Sequence, residues 1–422
     1  MNPNKKPLII VLWPYGFRPF DWDRLELDEL SLHANVEVHE VIQIVSPHFV
    51  RAYSNLMDDK HVFRFQKFAN WRAKFAQLLN ENAERDLYIL NFVSIVGWLS
   101  LFINIYIHLS GVTIVEYRQP GLPNETNHHV GLMTRVFNML KSSFCDYSSF
   151  KRLVNFLKQI CVRCLAYCAL MFIGGRRNFL FFVGKNKRAQ PSRKRKKEAL
   201  FKVVPANSWD YSRILRLSSV KYESLVKSRY AVLLDGAGPK FHGDELLTGG
   251  KLNHTAEQWY PALCGLFDWL EVKFNLRIVI AAHPKTSHEC FPSYFGGREV
   301  FHGDTYRLVK HADFVLTRFS TAISYALYFR KPILFLTSNE LELIPAFKIS
   351  SSKIAGELGK TPINVDCFDD KEIMDSIEFD LDLYKEFILS HLSSDYLERP
   401  NYQILLNDVM GIKINHNLEA GH

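Results

Sequence analysis

The sequence predicts an α/β protein built from two Rossmann-like halves, and three observations carry that expectation. Apolar β-type runs alternate with amphipathic helical stretches in both halves, the pattern of successive βαβ units. From Tyr88 to Val115 there is no Asp, Glu, Lys or Arg. Yet Asn91, Asn104, His108 and Gly111 divide the run into strand, helix and strand instead of one membrane span. Residues 230–336 then read strand, polar loop, helix, strand, loop, strand, loop, helix, strand. Polar signatures stand at their turns, where an open parallel sheet gathers its ligand-binding loops.

A chain of 422 residues suggests two or three domains. The expected division is a first domain over 1–204, a second over 205–390 and a tail over 391–422. Apolar residues make up 47%, enough for full cores. The net charge of +8 suits phosphate-bearing substrates or an anionic membrane surface. No nucleic-acid signature accompanies it, so no nucleic-acid partner is expected.

In chain order, the polar start is followed by an apolar run too short and too interrupted for a signal peptide. Residues 8–12 read as a first buried strand. The loop 13–19, with Trp13, Tyr15 and Phe17, either faces a ligand or simply packs. A second strand region follows at 36–45, and an amphipathic helix at 63–80. The charge-free stretch reads as strand 87–93, helix 95–108 and strand 112–117. Glu116 and Arg118 close that unit, as acceptor-side groups or as a simple ion pair. Residues 150–173 read as a helix with basic and apolar faces, and 185–197 form a dense cation run. The region of about 150–200 is thus either a membrane-proximal segment or a solvated loop. Of seven cysteines, Cys161, Cys164 and Cys168 share a helix face, but no fourth ligand stands nearby for structural zinc. An odd total without a secretory signal points to reduced thiols in a cytoplasm.

Val203, Val204 and Pro205 mark the crossing to the second half. Ser208 is the expected cap of a helix over 211–217. Strand 230–234 leads into Asp235-Gly236-Ala237-Gly238-Pro239, whose carboxylate is a base, a nucleophile or a plain turn residue. Helix 255–274 carries Trp259, Leu263, Leu266, Phe267 and Leu270 at core spacing. Strand 276–281 ends at His283-Pro284, with Lys285 beside it as a further anion contact. Asp304 caps the helix 306–311 or reaches a ribose hydroxyl. Strand 313–316 leads into Arg318-Phe319-Ser320-Thr321, with Ser320 and Thr321 capping a helix over 322–329, a suitable phosphate seat. Lys331 and Pro332 end that helix before strand 333–336. Glu340 follows, as a ribose contact or a surface residue. Helices are expected at 371–375 and 381–392, one of them crossing back to the first domain, and 415–422 as a frayed end.

An acidic-Gly loop, then His-Pro, then Ser-Thr opening a helix resembles the order in bacterial sialyltransferases and polysialyltransferases, which use CMP-activated nonulosonic acids. The run VIAAHPKT…GDTYRLVKHADFVLTRFSTAISYALYFRKPILFL looks like the donor half of enzymes that build surface polysaccharide. About a quarter of the chain carries the likeness. It departs at Leu234, where the family's motif has the first of two acidic residues; Asp244 and Glu245 are the substitutes, on the acceptor side. The resemblance implies a GT-B fold, two Rossmann-like domains facing a cleft. It implies transfer of a Kdo- or sialic-like sugar from a CMP donor to a glycan or glycolipid acceptor, peripherally on the inner face of the plasma membrane. Asp235 would activate the acceptor, His283 would stabilise the departing phosphate, and His283, Lys285, Arg318, Ser320, Thr321 and Asp304 would hold the nucleotide. Neither cofactor nor metal is required in that scheme. The same run also resembles CDP-activated glycerol-phosphate polymerases, and a non-catalytic partner in polysaccharide assembly is the alternative of another class.

Overall fold

The computed structural model describes residues 6–52, 56–82, 86–95, 97–118, 160–162, 164–165, 178–184, 201–236, 238–239, 254–283, 294–318 and 320–414. Lys285, Asp244, Glu245, Cys168, the cation run 185–197 and nearly all of the expected helix 150–173 lie outside the described residues.

Seven strands form the first sheet: β1 (Leu8–Trp13), β2 (Asn35–Glu40), β3 (Val62–Arg64), β4 (Leu87–Asn91), β5 (Thr113–Arg118), β6 (Asn178–Val183) and β7 (Lys202–Ala206). Their order is β3-β2-β1-β4-β5-β6-β7, and the pairings are parallel. Six form the second: β8 (Tyr230–Leu234), β9 (Arg277–Ala281), β10 (Val300–Phe301), β11 (Val315–Thr317), β12 (Ile333–Thr337) and β13 (Ile363–Asn364). Their order is β10-β9-β8-β11-β12-β13, again parallel. Both orders are the doubly wound Rossmann order, in which the chain reverses direction at one switch point. The expected α/β, GT-B-like pair of Rossmann-like domains is what forms.

Continuous apolar runs suit such sheets because both faces are covered. Ile9, Val11 and Trp13 point into one core while Leu8, Ile10 and Leu12 point into the other. Tyr230, Val232 and Leu234 divide from Ala231 and Leu233 in the same way. This is the two-residue alternation of a strand put to use on both sides.

The charge-free stretch resolves into β4, a helix (Trp98–Leu109) and β5. No helix among the described residues is long and apolar enough to cross a membrane. The stretch expected as helix 63–80 is instead the short edge strand β3 followed by a helix over Phe68–Glu81. Pairing of Val62–Arg64 with β2 outweighs the local helical pattern.

A linker helix, α1 here (Trp209–Ser218), joins the sheets, and Ser208 caps it by accepting from Tyr211 N. Arg213 on α1 reaches both sides. It pairs with Asp23 at 2.5 Å and donates to Tyr325 Oη at 2.8 Å. The helices expected at 371–375 and 381–392 form as Asp370–Ile377 and Leu381–Phe387. The crossing back is made later, by Asn401–Val409, whose Ile404, Leu405 and Leu406 join the core of the first sheet. Residues 391–414 are therefore packed structure and not a trailing tail.

Candidate functional site

Parallel strands of Rossmann order place their carboxyl-end loops around one crevice. In the second sheet that crevice opens between β8 and β11. Leu234 pairs with Thr317, so Asp235 and Arg318 leave adjacent strands side by side. Leu234 also pairs with Ala281 on the other side, and Asp235 N donates to Ala281 O at 3.1 Å, which brings His283 to the same edge. Asp304 follows β10 one strand further out. Fold topology thus gathers Asp235, His283, Arg318, Ser320, Thr321 and Asp304 along the carboxyl edge of neighbouring strands.

Arg318 organises the centre. It is 8% exposed, and its Nη2 donates to Gly236 O at 3.3 Å. Its Nη1 donates to His254 Nδ1 at 3.3 Å, and its guanidinium lies 5.1 Å from the Phe347 ring centroid. Such stacking is available to a planar guanidinium but not to an ammonium. The second glycine after Asp235 has a steric reason. A β-carbon on Gly238 would stand 2.5 Å from Arg318 Nη1, closer than any side chain tolerates. Tyr260 Oη donates to Gly238 O at 3.2 Å, and the Tyr260 ring stacks on Tyr294 at 4.3 Å. Burial, then the charge of Asp235, pushes the Tyr260 hydroxyl well up, so it stays a donor.

His254 was not legible in the sequence. It precedes the helix Ala256–Phe274, here α2. Burial and then the Arg318 charge lower its pKa to about 3, so it is neutral at physiological pH. Because arginine only donates, Nδ1 is the acceptor and the ring proton sits on Nε2. The signal that could have found it is the Thr255 cap that opens the strongly patterned α2.

Other expectations shift in detail. The helix after Thr321 spans Ile323–Tyr328, and its cap position is Ala322, not Ser320 or Thr321. Ser320 Oγ instead accepts from Ala322 N at 3.2 Å. Asp304 holds the cap position of Thr305–His311 but makes no capping hydrogen bond, and its carboxylate stands 3.6 Å from Arg307. Glu340 is committed elsewhere: it accepts from Thr255 N at 2.7 Å and Thr255 Oγ1 at 2.9 Å, stabilising the positive start of α2. Glu116 and Arg118 lie within β5, beside β4 and so one strand from the first sheet's own switch point. Cys161 and Cys164 are exposed free thiols. Among the described residues no group of three or more His, Cys, Asp or Glu could hold a metal ion.

No family model matches the chain, and no curated protein matches it. Solved structures resemble it faintly over nearly full length. S. aureus MnaA in a UDP co-structure is 17% identical with a TM-score of 0.47, covering 97% of this chain and 98% of that one. UDP-GlcNAc 2-epimerase from Neisseria meningitidis bound to UDP-GlcNAc is 10% identical with a TM-score of 0.46, covering 96% and 100%. The glycosyltransferase SnogD from Streptomyces nogalater is 10% identical with a TM-score of 0.45, covering 97% and 100%. Likeness at that level carries no weight for ligand or activity, and the fold rests on the strand order.

Proposed function

We propose that this protein is a glycosyltransferase that binds a nucleotide-activated sugar at the carboxyl edge of the second sheet and transfers that sugar to a glycan acceptor. The observation that carries the reading is the placement of Asp235 and Arg318 at the switch point, with His283 following the next strand of the same carboxyl edge. A buried carboxylate, an imidazole and a fixed cation there match what transfer from a phosphate leaving group requires. The acceptor oxygen bonds to the anomeric carbon as the bond from that carbon to the phosphate oxygen breaks, and the phosphate leaves with the electron pair. Asp235 takes the acceptor's proton. His283 donates a hydrogen bond to the departing phosphate, and Arg318 offsets its charge. Ser320 and Thr321 offer hydroxyls to the same phosphate. Lys285, Asp304 and, on the acceptor side, Glu116, Arg118, Asp244 and Glu245 complete the proposed contacts.

The finer reading is a CMP-activated nonulosonic acid as donor, which the motif order supports. The test is thermal stability against CMP, CDP, UDP and GDP, since a ligand that binds the native state raises its stability. A shift with CMP that disappears in His283→Ala supports it. A shift with UDP or CDP alone keeps the glycosyltransferase reading or the phosphate-polymerase alternative and discards the nonulosonic donor. Silence from all four overturns the nucleotide site.

A further inference from the structure

A second concavity lies away from that edge, where α1, the C-terminal return and the amino-terminal side of the second sheet meet. Its volume is about 560 Å³, within the range of sites for small ligands. Five tyrosines line it: Tyr211, Tyr222, Tyr328, Tyr396 and Tyr402. Tyr211 and Tyr328 pack edge to face at 5.9 Å. Phenol rings combine an apolar face with a hydroxyl, the pairing that a sugar ring presents in return through its C–H face and its own hydroxyls. Gln403 lines the same wall, 3% exposed, and its Oε1 meets no hydrogen-bond donor.

The charges say which ligand fits. Arg216 is the cation among the described lining residues, and both its arms are engaged. Nη1 donates to Glu29 at 2.7 Å and Nη2 pairs with Asp23. Glu398 adds a carboxylate to the rim. A phosphate or an acidic sugar would meet net negative charge with no spare cation, so a neutral ligand is favoured.

The backbone supports a ligand role. Asp395 and Tyr396 both hold left-handed conformations, at φ 63° and 50°. For a bulky residue this is an outlier that costs energy, and such strain gathers at ligand clamps. Tyr396 sits there 39% exposed, so burial of its ring does not account for the strain.

We propose that this cavity is a second carbohydrate site, which holds a neutral oligosaccharide. Choosing an oligosaccharide over other uncharged polyols rests on the glycan-building reading above. The test titrates the full chain with short neutral oligosaccharides of glucose, galactose, mannose and N-acetylglucosamine, read by calorimetry and saturation-transfer NMR. At least one series is expected to bind with a Kd of about 1 mM or tighter. Tyr396→Ala is expected to weaken it by about tenfold or more, equivalent to about 1.4 kcal/mol. Tyr396→Gly relaxes the left-handed strain, so its Tm should hold or rise while binding is lost. No binding by any series, or unchanged affinity in both Tyr396 variants, overturns the proposal. Sugar binding without any nucleotide shift would count against the proposed donor site alone. A nucleotide shift without sugar binding would count against this cavity alone.

Discussion

The two sheets share a strand order and differ in what stands at the point of reversal. In the second, Asp235, Arg318 and His254 meet there, buried and polar. In the first, β1 ends in Trp13 and β4 is followed by Phe92, their rings 5.1 Å apart, and Trp209 of the linker helix packs onto Phe92 at 5.6 Å. Phe17, in the loop after β1, is fully buried, and its N–H donates to Glu40 at 2.9 Å. Topology supplies a crevice in both; side chains decide whether it stays polar or fills with packed aromatic rings. The same geometry is the proposed donor edge in one half and a packed aromatic joint in the other.

Variants at the two edges separate these roles. Asp235→Asn is expected to cut turnover by about 10²–10⁴-fold with little loss of fold, since it removes a proton acceptor and keeps the shape. Trp13→Phe is expected to leave turnover near wild type while lowering unfolding stability by about 1–3 kcal/mol. Comparable turnover losses in both variants would break the comparison. Gly238→Ala tests the centre of the proposed donor edge. Its β-carbon forces Arg318 off Gly236 O and His254, so a loss of about 1–3 kcal/mol in chemical denaturation is expected, together with a weaker nucleotide shift.

pH sharpens the contrast, because one buried group in each half acts with opposite sign. His254 takes a proton at its ordinary 6.5 when unfolded and refuses it until about 3 when folded. Its contribution is complete above pH 6.5 and falls by about 1.4 kcal/mol per unit as pH drops toward 3. Glu26 accepts from Ser212 Oγ at 2.6 Å and Tyr402 N at 2.8 Å. Burial is the first cause that raises its pKa from 4.5 to about 7. The folded protein keeps a proton that the unfolded chain releases, so stability is complete below 4.5 and falls as pH rises through about 7. Between 4.5 and 6.5 the two slopes oppose each other. His254→Gln should expose the Glu26 slope, a loss with rising pH, and Glu26→Gln the reverse. Denaturation midpoints across that interval check both, and a flat profile in either variant would contradict the assignment.

Much of this was legible in the sequence because strands buried on both faces are simple apolar runs. Residues that end such runs, as Asp235, His283 and Arg318 nearly do, belong by topology to one edge. What escaped depends on contacts distant in sequence. β3 is only three residues long and exists through pairing with β2. The return helix from Asn401 carries too few turns for periodicity to register. His254 reaches Arg318 across 64 positions, a partnership that only the folded sheet creates. Gly238 belongs in sequence to what reads as a turn, whereas in the fold it makes room for a guanidinium.

The chain passes between the domains twice, and the two passages run side by side. Asn207 and Ser393 form an antiparallel bridge, Ser394 N donates to Ala206 O at 3.1 Å, and Asn401 Nδ2 donates to Asn207 O at 2.9 Å. A single covalent thread would let one lobe twist and swing about the other in any direction. A doubled, cross-stitched strap resists that torsion, so the lobes are kept in register by two hydrogen-bonded passages of chain in place of one.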